Sequence, residues 1–174
     1  MPLELEQFVP DRGGPIKRAA PLLRASTIDG VTVLGLSPNS DDRGGLVELL
    51  SEAHGPLEPI VHVYQVFAKA RSIRAWIYHK HQSDRLAYTN GLFQLVLYDI
   101  RPGSPSYGAL DVLELGADNP CLVTLPPYVI HGLQNLGDTE ASFVNMPTRA
   151  YDPLHPDKAR LPWDDARIPF SFKK

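Results

Sequence analysis

Arg74-Ala-Trp-Ile-Tyr-His-Lys-His-Gln-Ser-Asp-Arg-Leu-Ala-Tyr-Thr-Asn-Gly91 concentrates histidines, charges and aromatic rings in a run whose composition is that of a β-strand. Extended backbone sends alternate side chains to opposite faces, so Ile77, His79 and His81 share one face while Trp76, Tyr78 and Lys80 share the other. Two histidines then project in parallel, about 7 Å apart along the strand. Asp84 and Arg85 follow with opposite charges. Asn90-Gly91 supplies the φ > 0 turn from which another strand starts.

The rest of the chain has the same rhythm. Seventeen prolines and thirteen glycines punctuate short apolar runs, which points to an all-β fold rather than a helical one. Val31 to Leu36, Ile60 to Ala68, Leu92 to Ile100, Leu110 to Leu115, Cys121 to Leu125, Gly132 to Leu136 and Ala141 to Met146 are expected strands, spaced like those of a sandwich or barrel. On the second of them His62, Tyr64 and Val66 share one face and Val61, Val63, Gln65 and Phe67 the other; His62 is expected at the surface or as a satisfied core histidine. Arg43 enters, and Glu48 lies within, a glycine-opened segment that spacing alone presents as a hairpin with exposed charges. Ile16 to Arg24 could form a short helix interrupted by Pro21.

At 174 residues the expectation is a single domain: an irregular N-terminal arm over 1–30, a barrel over 31–146 and a tail over 147–174. The tail holds five prolines but also Tyr151, Trp163, Phe170 and Phe172, so it is expected to wrap the barrel rather than stand in solvent. A net charge of −3 gives no electrostatic reason for nucleic-acid binding. No run reaches the length of a membrane span, and the N-terminus has neither a basic nor an apolar leader, so a cytoplasmic protein is expected. The single cysteine, Cys121, lies in strand sequence and is expected to be buried and inert.

His79-x-His81, then Gly91, then Pro126-Pro-Tyr-Val-Ile-His131-Gly-Leu-Gln-Asn135, resembles the two-part signature of the cupin superfamily of small β-barrels, with Tyr128 where glycine is usual. A closer resemblance spans Asp41 to the C-terminus. Asp42-Arg-Gly, Arg74-Ala-Trp-Ile-Tyr-His, Tyr98-Asp-Ile-Arg-Pro-Gly-Ser-Pro-Ser-Tyr-Gly, Ile130-His-Gly, Tyr151-Asp-Pro and Trp163-Asp-Asp are similar, in order and spacing, to the dTDP-4-dehydrorhamnose 3,5-epimerase family. The resemblance implies a cupin-type double-stranded β-helix, or jelly roll, with an irregular C-terminal tail. It further implies a homodimer and action on a nucleotide-diphosphate deoxysugar without a cofactor. Position by position, it implies that Arg43 and Arg74 bind phosphate and substrate, and that Glu48 contacts the nucleotide of the neighbouring subunit. His131 would face the substrate and Asp165 would orient the catalytic base.

The chemistry of such a reaction is general. A ketone at C4 acidifies the protons on its neighbours, so a base can remove one and an acid can return it to the opposite face. Two positions depart from the family. Ile77 stands where the resemblance expects the catalytic histidine, and Asn145 where it expects the proton-donating tyrosine; neither side chain can do that work.

Three readings stay open. His79, two residues beyond Ile77 on the same face, could be a relocated base, with Tyr88, Tyr151 or Lys80 supplying a proton and His81 and Asn145 holding the substrate. Alternatively His79, His81 and His131 could hold a metal, since Asp84, the nearest carboxylate, comes early for the cupin glutamate. The third is binding without catalysis.

Overall fold

The structure, a computed structural model, describes residues 7–9, 26–52 and 58–173; the helix expected over Ile16 to Arg24 and most of the N-terminal arm lie outside them. The described residues contain twelve strands: β1 Thr32–Gly35, β2 Asn39–Asp41, β3 Gly44–Leu46, β4 Tyr64–Ala68, β5 Ile73–His79, β6 Asp84–Tyr88, β7 Leu92–Asp99, β8 Leu110–Gly116, β9 Cys121–Leu125, β10 Val129–Asn135, β11 Ala141–Asn145 and β12 Lys158–Arg160. Two five-stranded antiparallel sheets, in the orders β1-β9-β6-β11-β4 and β12-β5-β10-β7-β8, face each other as a jelly roll, and β2-β3 form a separate hairpin.

The inner faces follow the two-residue period. Leu86 and Tyr88, Val123 and Leu125, and Phe143 from the first sheet meet Phe93, Leu95, Leu97, Val129 and Leu133 from the second in one apolar core. Aliphatic and aromatic residues at alternate positions thus bury one face of each strand, which is what makes two half-buried sheets stable. Tyr88, offered above as a proton source, is fully buried in this core against Phe93 and Phe143, out of reach of any cleft. Cys121 is in the same core, where burial pushes its thiol up to about 12.

The tail packs on the outer face of the second sheet. Leu161, Trp163, Ile168, Phe170 and Phe172 cover Trp76, Val96, Ile130 and Tyr98, and the Trp76 indole N–H donates to the Trp163 carbonyl at 3.1 Å. Within the tail, β12 adds an edge strand beside β5, which proline content had concealed. The long Asp99-to-Gly108 block, the most distinctive stretch of the family resemblance, is a latch: Asp99, wholly buried, accepts from Arg101, Ser104 and Ser106, while Arg101 also donates to the Asp29 carbonyl.

One local feature overrides simple alternation. His131 lies opposite Ile77, but Leu133 lies opposite Arg74, so two steps along β10 answer three along β5. Directly opposed residues share a face, and His131 and Leu133 are two apart, so Arg74 and Ile77 both take the inner face despite their odd separation. Strict alternation would have placed Arg74 with Trp76.

Candidate active site

A cleft of about 1010 Å³ opens where edge strand β4 of one sheet approaches the β12-β5 edge of the other. Its walls come from the lead into β4, from the end of β5 and the residues after it, and from the segments on either side of Asp152. It carries His62, His79, His81 and His155, three cationic side chains, Lys80, Arg149 and Lys158, and two carboxylates, Asp152 and Asp157.

His79, only 8% exposed, is the centre of the buried chemistry. Its Nε2 lies 3.3 Å from Asp84 Oδ2 and its Nδ1 3.6 Å from Asp157 Oδ2, and Nδ1 is buried with no hydrogen-bond partner. A carboxylate can only accept, so the Asp84 side assigns the proton to Nε2 and leaves a lone pair on Nδ1. Asp157 is itself held by backbone N–H groups of Lys80, His81 and Gln82. The Tyr128 N–H donates to the His79 carbonyl at 2.7 Å, and Tyr128 reaches that place with φ of 65°, the conformation for which glycine is usual at this point of the motif.

Behind His79, Asp84 projects inward from β6 in line with Leu86 and Tyr88. Its Oδ1 accepts from Gln82 Nε2 at 2.8 Å and Asn145 Nδ2 at 3.0 Å, and its Oδ2 is also 3.6 Å from His131 Nε2. Burial pushes the Asp84 carboxyl up, but the His79 hydrogen bond, the charges of both imidazoles and the Asn145 amide hold it well below the usual carboxylate range. His131 Nδ1 donates to the Val129 carbonyl at 3.2 Å; burial lowers its pKa, and Asp84 works against that. His131 is therefore placed behind Asp84 rather than in the cleft wall.

The expected residues divide accordingly. The fold brings together His79, His131 and Asn145, and puts His81, Lys80 and Tyr151 on the cleft wall. Asp165 is not beside the base: it pairs with Arg167 at 2.6 Å in the tail, and Asp84 and Asp157 flank His79 instead. Arg74 is on the inner face of β5 but outside the cleft lining; Glu48 is exposed, and Arg43 sits on the hairpin in a pair with Asp41.

The metal set His79, His81, His131 does not assemble, because His81 lies beyond the end of β5 with its side chain exposed. The atoms that do converge, within 4.8 Å of one another, belong to His79, Asp84 and His131, donor types that a transition ion accepts. His62, expected at the surface or satisfied in the core, is a cleft residue: it accepts the Tyr151 N–H at 3.3 Å and packs edge-on against Tyr64.

Sequence reasoning missed Asp157 and Tyr64 as site residues. Asp157 gave no signal among the tail prolines. Tyr64 did carry one, a phenol on the inward-facing register of β4.

Comparison with known proteins agrees with this architecture. The profile of the dTDP-4-dehydrorhamnose 3,5-epimerase family matches residues 25–173. The spore coat polysaccharide biosynthesis protein SpsL of Bacillus subtilis is 39% identical over 145 residues, covering 83% of this chain and 96% of SpsL. The probable low-salt glycan biosynthesis epimerase Agl13 of Haloferax volcanii is 34% identical over 142 residues, covering 79% of this chain and 89% of Agl13. The crystal structure of a dTDP sugar isomerase from Desulfovibrio desulfuricans G20 superimposes with a TM-score of 0.79 at 28% identity, over 84% of this chain and 92% of that one. With the barrel, the latch and the cleft in place, these matches establish that the chain belongs to the dTDP-4-dehydrorhamnose 3,5-epimerase family.

Proposed function

We propose that this protein is an epimerase that inverts a carbon beside the ketone of a nucleotide-linked 4-keto-6-deoxy sugar, with His79 as the base. The observation that carries the reading is the setting of His79: a ring in the cleft wall, a carboxylate within 3.6 Å of each nitrogen, and a buried Nδ1 with no partner. Proton removal from carbon places a positive charge on the ring, and Asp84 and Asp157 are already positioned to offset it. The proton reaches Nδ1 directly or through one water. Its electron pair passes into the enolate, whose oxygen needs a donor or cation; Lys80 and Lys158 on the cleft wall are cations suited to this task.

Membership of an epimerase family supports turnover over binding alone. The nucleotide diphosphate belongs in the outer cleft, where Arg149, Lys80 and Lys158 outnumber the carboxylates of Asp152 and Asp157, and the exposed Tyr151 ring offers a surface for stacking. Arg43 and Glu48 do not reach this cleft in their own chain. We assign them to the cleft of a second copy, in a cytoplasmic homodimer, because every residue of the β2-β3 hairpin is exposed.

Incubation with a dTDP-linked 4-keto-6-deoxyhexose in D₂O should place deuterium at the inverted carbon, and His79→Gln should abolish both inversion and exchange. Deuterium entering at an undiminished rate with His79→Gln would remove His79 from the mechanism.

A further inference from the structure

We propose that Tyr64 is the acid that returns the proton to the substrate carbon, in place of the tyrosine absent at Asn145. The inference rests on the proton-abstraction reading above and extends it to the second half of the reaction. β4 and β11 are antiparallel neighbours, and Tyr64 lies directly opposite Asn145 in their register, so both side chains leave the same face of the sheet. A phenol missing from β11 is thus supplied by the adjacent strand.

The hydrogen-bond arrangement leaves that phenol free to donate. Asn145 Nδ2 is 3.0 Å from Asp84 Oδ1 and 2.8 Å from the Tyr64 hydroxyl. Because Asp84 is ionised and can only accept, the amide must present nitrogen to it, and its two hydrogens go one to Asp84 and one to Tyr64. Tyr64 is therefore an acceptor towards Asn145, and its own proton is directed elsewhere. The half-buried ring lines the cleft, which is where that proton can meet a substrate. Asn145 Oδ1 is buried without a partner, a second acceptor waiting at the same depth.

The other tyrosines do not combine these features. Of the seven, Tyr78 and Tyr98 pack on the outer face of the second sheet, Tyr128 stacks on Tyr78, Tyr107 is in the latch loop and Tyr88 is sealed in the core. Only Tyr64 and Tyr151 line the cleft, and Tyr151 is 66% exposed at its rim. Burial, reinforced by the charge of Asp84, raises the Tyr64 pKa, so the group holds its proton at neutral pH; the Asn145 hydrogen bond and the Arg74 charge act the other way and favour the phenolate once it forms.

The step balances. His79 takes the proton from the carbon and the C–H pair becomes the enolate π bond. The enolate carbon then takes the Tyr64 hydroxyl proton on its opposite face, re-forming the ketone and leaving phenolate and imidazolium. Transfer of the imidazolium proton to the phenolate through water resets both groups.

The test is Tyr64→Phe, which removes one hydroxyl from a half-buried ring, with the unfolding midpoint checked against wild type. In D₂O with a dTDP-linked 4-keto-6-deoxyhexose, inversion should fall about 100-fold while deuterium exchange into recovered, uninverted sugar stays within about tenfold of wild type. A merely structural role would lower both together. Inversion at the wild-type rate, or equal loss of inversion and exchange, overturns the assignment, as does finding that split in Tyr151→Phe instead. If wild-type protein exchanges no deuterium with any such sugar, the epimerase reading fails and the role of Tyr64 falls with it. If exchange occurs and only the Tyr64 split is missing, the epimerase reading stands and the acid lies elsewhere.

Discussion

Asp84 is 2% exposed and yet ionised, a state that is costly in a protein interior unless every oxygen is paired. Here Gln82 and Asn145 satisfy one oxygen and the two imidazoles face the other. Asp84→Asn keeps the shape and removes the charge that offsets the His79 imidazolium, so turnover should fall about 100-fold or more, measured as inversion of the sugar. Asp84→Ala leaves the buried His79 imidazole and two amides without their acceptor and should cost about 3–5 kcal/mol in urea unfolding. Because the folded carboxyl titrates below its ordinary value, its contribution to stability is full above about pH 4 and is lost as pH falls through the lowered folded value. Asp84→Asn should flatten that part of the acid limb of stability against pH.

Among the elements, the pairing of β5 with β10 does most to shape the site. The shifted register puts Arg74 and Ile77 on the same face of β5, and beside it Gly132 leaves the room that the Ala75 methyl and the Trp76 ring occupy. A Cβ there would lie 2.4 Å from the Ala75 Cβ and 2.8 Å from the Trp76 ring, both closer than packed atoms tolerate. Gly132→Ala should therefore destabilise the fold by about 1–3 kcal/mol in denaturant unfolding, with a matching loss of the ordered Trp76 environment in near-ultraviolet circular dichroism. The Asp99 latch acts on the opposite flank of the barrel. The Arg101 guanidinium beside Asp99 holds its carboxyl well below the usual range, and the hydroxyls of Ser104 and Ser106 add to that. This block stands out in the sequence for a folding reason, since it fastens the segment around Asp29 to the barrel.

At the scale of the whole molecule, the cleft has the His79 imidazole, a phenol and a cationic rim, but the arginine of the β2-β3 hairpin is absent from it. A second copy that inserts this hairpin would complete the site. Mixing Arg43→Ala chains with His79→Gln chains should then restore inversion to about a quarter of wild type, the share expected if half the chains pair as hybrids with one intact site each. Recovery confined to the sum of the separate variants would show each chain to be self-sufficient. Light scattering should give twice the 19.3 kDa chain mass if the pairing holds in solution.

The sequence by itself determined the all-β class, because alternating apolar residues and turn-forming glycines and prolines act locally and need no partner to be recognised. It pointed to the family as well, since the Tyr98-to-Gly108 block, Ile130-His-Gly, Tyr151-Asp-Pro and Trp163-Asp-Asp stand in the order and spacing that the resemblance requires. It also marked His79, a histidine two residues along from Ile77, the position where the resemblance expects the base. Only the tertiary structure decided what surrounds that histidine. Asp84 lies across the barrel on β6, Asp157 enters from the tail, and Tyr64 faces Asn145 from the neighbouring strand. None of these contacts is periodic in the chain. They arise where two sheet edges close on each other, so His79, its two carboxylates and the Tyr64 phenol come from segments that only folding makes adjacent.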